Sequence, residues 1–178
     1  GKWIFFTHSG YMAGMGRQRL SHGVRKALYQ TILDVSFRRT GGCLGMWHFG
    51  KEEEKSPISQ ADRLDTPLEP AMDGKNIFMR TLIGGRKFHE LPRKLRQGLV
   101  SVDGATVLLV DGTILAVGAI LSVRGGNAGG GRSAAAMELA KMGLGVKVSN
   151  DGKVSYWVDL MRRKNSTGRR EPPRYEVG

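Results

Sequence analysis

Apolar residues with helical periodicity open the interpretable part of the chain. They follow Ser21, a residue suited to cap a helix, and they are Val24, Ala27, Leu28, Ile32 and Val35. The pattern predicts a helix that runs to about Arg39 and ends before Gly41-Gly42. The apolar run over residues 43–49 is typical of a buried strand.

The middle of the chain is less regular. Residues 51–69 are charged and contain prolines, which favours a surface loop with at most a short helix near Ala61. The periodicity of residues 76–83 fits either a strand or a short helix. Residues 88–98, with Pro92 near their start, predict a short basic helix.

A hairpin follows. Residues 100–110 are apolar and β-branched apart from Asp103-Gly104-Ala105, and they predict a strand. Asp111-Gly112 is a strong turn signal, and residues 113–123 predict the returning strand.

A helix and a second hairpin complete the pattern. The helix is predicted over about 132–142, with Gly143-Leu144-Gly145 ending it. Strands over 146–149 and 153–158 then flank a turn at 150–152.

These elements predict an α/β (α+β) fold with a mixed central β-sheet flanked by helices. The 178 residues suit one domain, over 22–160. We expect a flexible N-terminal segment over 1–21 and a basic, disordered tail over 161–178.

Charge narrows the class of partner. A formal net charge of +12 favours anionic partners, namely nucleotides, nucleic acid or an acidic protein surface. The alternative is a soluble domain with basic flanks. The basic tail lacks a series of interleaved aromatic residues on which bases could stack. It therefore predicts only weak, nonspecific contact with nucleic acid.

Cysteine content and hydropathy indicate a cytoplasmic protein. Cys43 is the only cysteine, so no intramolecular disulfide forms, and its apolar neighbours predict a small buried hydrophobe rather than a nucleophile. No apolar stretch reaches the length of a membrane span, so we expect no membrane partner.

The most informative junction is a glycine-rich stretch, 125–131, that leads directly into a helix-forming run, 132–140. Glycine allows close approach of the backbone to a ligand, and the first amides of a helix carry the positive end of its dipole. The predicted phosphate-binding residues are Gly130, Gly131, Arg132, Ser133 and Ala134. The alternative is a flexible surface loop, since the stretch matches neither a P-loop nor the dinucleotide-binding fingerprint.

Two further motifs carry candidate chemistry. The Asp103 carboxylate, set in an apolar strand, is costly unless it is exposed, paired or bound to a metal. It therefore suggests a ligand for a divalent cation that bridges phosphates, or else a solvated aspartate at a strand-entry turn. The sequence Ser149-Asn150-Asp151-Gly152 is, by itself, most simply a hairpin turn.

The order of these three motifs resembles the diadenylate cyclase family, that is, the DisA-type N-terminal domain. In that family an Asp-Gly-Ala motif precedes a Gly-Thr-Arg-His-Arg-Ala-Ala loop, and a Ser-Glu-Glu turn comes before the last hairpin. Asp103-Gly104-Ala105 matches the first motif fully, and residues 130–136 and 148–154 lie where the others fall. The resemblance covers roughly 22–160 and is firm over 100–157.

The resemblance implies a known activity, and the departures from it imply that the activity is lost. Family members join two ATP molecules across a head-to-head pair of domains, with the motif's aspartate at a catalytic Mg²⁺ or Mn²⁺ and the Arg-His-Arg segment gripping triphosphate. Here that segment is Arg132-Ser133-Ala134, preceded by Gly131, and Asn150 and Asp151 replace the glutamates. Losing two phosphate-handling side chains is expected to cost many powers of ten in rate.

We therefore expect a catalytically inactive, bacterial sensor domain of this type that binds a nucleotide, such as ATP, or a cyclic dinucleotide. Arg132 then pairs with phosphate, Asp103 contacts a metal or the ribose, and Ser149 contacts the base or ribose edge. Gly104 and Ala105 let the ligand approach the sheet. The signal passes to a fused or neighbouring effector, and a homo-oligomer would supply missing basic groups.

Two alternatives stay open at this point. One is an active diadenylate cyclase that makes cyclic di-AMP from two ATP with Asp103 as metal ligand. The other is a basic module for interaction with nucleic acid or protein, in which the tail does the binding.

Overall fold

A computed structural model of the chain describes residues 20–47, 56–67, 74–122, 130–158 and 174–177. The longer elements in these ranges are α1 (His22–Arg38), β1 (Gly42–Trp47), α2 (Gly74–Ile83), α3 (Arg93–Ser101), β2 (Ala105–Leu109), β3 (Ile114–Ala119), α4 (Gly131–Ala140), β4 (Gly143–Val148), β5 (Val154–Val158) and β6 (Arg174–Val177). Short 3₁₀ helices lie at Gln60–Asp62 and Phe88–Glu90. No helix within the described ranges is both long and apolar enough to cross a bilayer.

The strands form one mixed sheet in the order β3-β2-β1-β4-β5-β6. Strands β1 and β2 run parallel, and every other neighbouring pair is antiparallel. The parallel pair needs a crossover, which α2 and α3 supply on the way from β1 to β2. The predicted fold class, a mixed central sheet flanked by helices, is confirmed.

The first helix forms where its periodicity predicts. The hydroxyl of Ser21 accepts a hydrogen bond from the Val24 amide at 3.3 Å, which satisfies one of the unpaired donors at the helix start. The helix ends at Arg39, whose φ of 53° is left-handed. The predicted apolar positions, Val24, Ala27, Leu28, Ile32 and Val35, are all buried.

Helices cover the two faces of the sheet separately. On one face, α1 and α3 pack over a core that includes Leu28, Leu44 and Leu108. On the other face, α4 packs through Ala136 and Leu139. A Cβ atom at Gly145 would lie 1.7 Å from the carbonyl oxygen of Ala136, so only glycine in β4 lets α4 lie this close to the sheet.

The structure corrects several predicted boundaries. Helix α3 continues through Ser101, and β2 begins only at Ala105, because the apolar side chains of Leu99 and Val100 pack as the buried face of a helix. Residues 143–145 do not end α4, which stops at Ala140; they form the start of β4. The undecided segment 76–83 is helical.

The structure also corrects the prediction for the C-terminal tail. In the tail that was predicted to be disordered, Arg174–Val177 instead form β6, which pairs antiparallel with β5. The alternation of Arg174, Tyr175, Glu176 and Val177 suits a strand. The rest of that tail, most of the predicted N-terminal segment, and the glycines at 125–129 lie outside the described residues.

Candidate functional site

The strand order brings the three motifs to one end of the sheet, which we call the motif end. Because β1 and β2 are parallel, both begin there, and the antiparallel strands β3 and β4 finish there. Asp103-Gly104 precedes β2, and Ser149 follows β4. Helix α4 also begins there, since it connects the end of β3 with the opposite end of the sheet, where β4 starts.

Arg132 links the second motif to the third. Its Nη1 atom donates a hydrogen bond to Asn150 Oδ1 at 2.9 Å. The guanidinium lies over Gly41, where an added Cβ would be 2.6 Å from Nη1. Gly41 has a φ of 71°, a conformation that favours glycine, and a Cβ there would displace the side chains of Arg132 and Asn150. The structure therefore places Arg132, the predicted phosphate-binding residue, directly beside the β4–β5 turn.

A second cation, which the sequence analysis missed, lies at the start of α4. Lys147 Nζ donates to Ser133 Oγ at 2.9 Å. Lys147 is half-buried in β4, between the buried residues Val146 and Val148. Since side chains alternate along a strand, Lys147 shares the face of Gly145, against which α4 packs. The alternation of valine and lysine was the available signal, but it does not reveal what covers that face.

Both cations at the start of α4 have neutral partners. Arg132 and Lys147 contact an amide oxygen and a hydroxyl, and neither forms an ion pair with any described carboxylate. Three other cations pair with acids instead: Arg63 with Asp65 at 2.6 Å, Lys87 with Asp111 at 2.7 Å and Arg93 with Asp34 at 2.7 Å. Arg86 and Arg96, like Arg132, donate only to neutral oxygens among the described residues. The start of α4 thus combines uncompensated positive charge with the positive end of a helix dipole.

The amides at the start of α4 require a correction to the predicted set. The amides of Ser133 and Ala134 both donate to the carbonyl oxygen of Gly130 at 3.1 Å, so they are already used. Their side chains are buried as well. We expect the amides of Gly131 and Arg132 to be the ones that face a ligand.

Of the two glycines at the start of α4, Gly130 is required by its backbone conformation, whereas Gly131 could be replaced by a larger residue. Gly130 has a φ of 78°, which other residues rarely adopt. A Cβ at Gly131 would meet no described atom within 4 Å. The surface above the first turn is therefore open to solvent among the described residues.

Exposure falls along the Asp-Gly-Ala motif, from an exposed Asp103 through a half-buried Gly104 to a buried Ala105. Asp103 is exposed in the turn before β2, and it makes no hydrogen bond or ion pair with another described residue. Gly104, with a φ of 95°, is needed because an added Cβ would lie 2.5 Å from the backbone carbon of Gly118. Ala105 is fully buried opposite Ala119. Gly104 and Ala105 therefore have a role in the pairing of β2 with β3, and the approach of a ligand along them stays a prediction.

Ser149 closes the β4–β5 hairpin, as its motif predicts. Its amide donates to the carbonyl oxygen of Lys153 at 2.8 Å, and its carbonyl accepts from the Gly152 amide at 2.9 Å. The Ser36 hydroxyl of α1 donates to the carbonyl oxygen of Gly152 at 2.5 Å. The turn that presents Asn150 to Arg132 is thus anchored to α1.

Cys43 lies beneath the site without being reactive. It is fully buried and pairs with Lys147 across β1 and β4. Its thiol lies 3.8 Å from the carbonyl oxygen of Arg132. Burial raises the pKa of the Cys43 thiol to about 12, despite the nearby Arg132 charge, so the thiol stays protonated. The predicted burial is confirmed.

The motif end offers few protein ligands for a metal ion among the described residues. The described residues contain no group of three or more His, Cys, Asp or Glu side chains arranged to hold one. Asp103 fits as a single oxygen ligand for Mg²⁺ or Mn²⁺. The remaining ligands then have to come from phosphate oxygens and water.

Comparison with known proteins supports the fold. No family model and no curated protein matches the chain. Among solved structures, it is similar to a hypothetical membrane-spanning protein from Bacillus cereus, with a TM-score of 0.50 and 17% identity over 76% of this chain. The match spans only 60% of that protein's chain. At this identity the likeness shows the overall fold alone.

A second solved structure aligns over the same share of the chain. It is a double mutant of DacA from Staphylococcus aureus, with a TM-score of 0.46 and 17% identity, and the match covers 76% of this chain and 81% of that one.

Proposed function

We propose that this domain binds a nucleotide or a cyclic dinucleotide at the motif end and acts as a sensor rather than as a cyclase. The observation that carries the proposal is the contact between Arg132 and Asn150, which joins two sequence motifs around a guanidinium without a counter-charge. An arginine in such a position gains more from a phosphate than from a neutral amide, because charge-assisted hydrogen bonds are the stronger ones.

Each group at this end has a role in binding. Arg132 binds a phosphate oxygen, and the amides of Gly131 and Arg132 add donors at the helix start. Asp103 precedes β2, and Asn150 follows β4, so two strand spacings separate them, about 10 Å at their backbones. Asp103 therefore contacts the sugar or a phosphate-bound Mg²⁺ or Mn²⁺, and Ser149 the base or ribose edge.

The absence of two side chains supports binding without catalysis. Ser133 and Ala134 occupy the positions of the family's His and second Arg, and both are buried. Neither side chain can place a positive charge on a triphosphate. Transition-state stabilisation of a transferred phosphoryl group depends on such charges, whereas ground-state binding tolerates their loss better.

The experiment is a calorimetric titration of the whole chain with ATP and with cyclic di-AMP, each with and without Mn²⁺. Arg132→Ala is expected to weaken binding about tenfold or more, with little change in melting temperature. The matched control is Lys94→Ala, which removes one exposed charge from α3 at the far side of the fold. Equal affinity of Arg132→Ala and the wild type contradicts the proposal.

Two further arms separate the alternatives. Incubation of ATP and Mn²⁺ with the protein is expected to yield no cyclic dinucleotide, and steady product formation means an active cyclase. Replacing Arg162, Arg163, Lys164, Arg169 and Arg170 by glutamine removes tail charge but keeps β6. If that variant loses all affinity, the tail is the binding element, and the alternative of a basic interaction module is correct.

A further inference from the structure

Neither the motifs nor the fold explains the position of Lys147. Three described lysines are half-buried: Lys75, Lys87 and Lys147. Lys75 binds Asp62 at 3.1 Å, and Lys87 binds Asp111 at 2.7 Å. Lys147 has no described carboxylate within ion-pair distance, and its hydrogen bond goes to a neutral hydroxyl. A partly desolvated ammonium without a counter-charge lowers the stability of a fold.

The position of Lys147 connects it to Arg132. Ser133, which is only 7% exposed, holds the Lys147 ammonium at the first turn of α4. Cys43 pairs with Lys147 across the strands, and its thiol lies against the carbonyl of Arg132. Both cations therefore belong to the same helix start, one on Arg132 itself and the other hydrogen-bonded to its neighbour Ser133.

We propose that Lys147 is a second cationic ligand of the phosphate-binding site. The inference rests on the proposed function and adds to it the residue that supplies charge where the Arg132-Ser133-Ala134 segment has only one cation. An ammonium group has three donors, and Ser133 accepts one of them, so the others are free to bind phosphate oxygens. The charge comes from β4 instead of from the glycine loop and α4.

The test compares Lys147→Met, Lys147→Arg and a control, Lys153→Met, by calorimetric titration with ATP and with inorganic pyrophosphate. Lys153 is an exposed lysine six positions along, in the next hairpin turn, where it pairs with Asp151. We expect Lys147→Met to bind both probes about tenfold more weakly, and Lys147→Arg and Lys153→Met to bind within about threefold of the wild type.

Two additional readouts separate a ligand from a structural residue. Affinity of Lys147→Met should fall less steeply than that of the wild type when salt is raised, because one screened charge is gone. Its melting temperature without ligand should equal or exceed that of the wild type, since an uncompensated charge has been removed.

The outcomes distinguish this inference from the proposed function. If Arg132→Ala loses affinity while Lys147→Met stays within about twofold of the wild type, the inference is wrong and the function stands. If Lys147→Arg loses as much as Lys147→Met, packing rather than charge is responsible, and the inference is also wrong. If the wild type binds neither probe, the inference and the proposed function are both wrong.

Discussion

The cations at the two ends of the sheet differ in their partners. In the β2–β3 turn, Asp111 accepts hydrogen bonds from Lys87 Nζ at 2.7 Å and from the Thr113 amide at 3.0 Å. At the motif end, Arg132 and Lys147 contact only neutral groups among the described residues. The β2–β3 turn pairs its cation with an acid, whereas Arg132 and Lys147 at the motif end have no acidic partner among the described residues.

The pKa values at the β2–β3 turn reflect this pairing. Burial alone would raise the pKa of Asp111, but hydrogen bonds from Lys87 and Thr113 outweigh burial and hold the pKa below its usual value. The hydrogen bond to Asp111 likewise raises the pKa of Lys87. Charges that satisfy each other stabilise a turn and leave little to offer a ligand, whereas Arg132 and Lys147 have no such compensation among the described residues.

The largest effect is expected from breaking the packing that holds the motif end together. Gly145→Ala would bring a Cβ within 1.7 Å of the Ala136 carbonyl, so α4 has to move away from the sheet. We expect a loss of about 3 kcal/mol or more in the free energy of unfolding, measured by chemical denaturation.

The control for that substitution is Gly131→Ala, at the start of the same helix. An added Cβ meets nothing described within 4 Å there, and alanine is a better helix former than glycine. Its stability should stay within about 1 kcal/mol of the wild type. Equal stability of the two variants would mean that α4 does not lie against Gly145.

A smaller effect should follow from making the motif end resemble the other turn. Asn150→Asp gives Arg132 a carboxylate at the position of its present 2.9 Å partner. We expect nucleotide affinity to fall about fivefold or more, because the new carboxylate competes with phosphate, while the melting temperature stays the same or rises slightly. If calorimetric titration shows unchanged affinity, Arg132 does not contact the ligand.

The smallest effect is expected at the β2–β3 turn and depends on pH. The pKa of Asp111 is lowered from 3.8 in the folded protein, so its stabilising contribution is fully present above that value and is lost as the pH falls through the folded pKa. Asp111→Asn should therefore lower the melting temperature slightly at pH 7, and the difference from the wild type should shrink as the pH falls below 3.8.

The same variant also tests the comparison between the two turns. Since Asp111 lies at the opposite end of the sheet, its substitution should leave nucleotide affinity unchanged. A melting-temperature difference that grows in acid would mean that the carboxylate is not stabilised in its charged form.

The sequence predicted the elements that depend on local signals. The Ser21 cap, the apolar face of α1, and the turns at Asp111 and Asn150 follow from residue type and spacing. The meeting of the three motifs at one end of the sheet depends on the strand order and on the parallel pairing of β1 with β2, which the local signals did not predict.

Other features depend on tertiary contacts that no local pattern encodes. The Val146-Lys147-Val148 alternation shows that Lys147 faces away from the valines, but not that α4 covers that face. The role of Gly104 comes from the backbone of Gly118. Ser101 remains helical because α3 packs against the sheet, which overrides the strand propensity of its neighbours.

The most direct test of the central claim is a map of backbone amide chemical shifts as ATP is added to the whole chain. The account predicts the largest changes at Gly131, Arg132 and Asn150, beside the uncompensated cations, and none at Lys87 or Asp111. Changes confined to the basic tail, or centred on the β2–β3 turn, would contradict it.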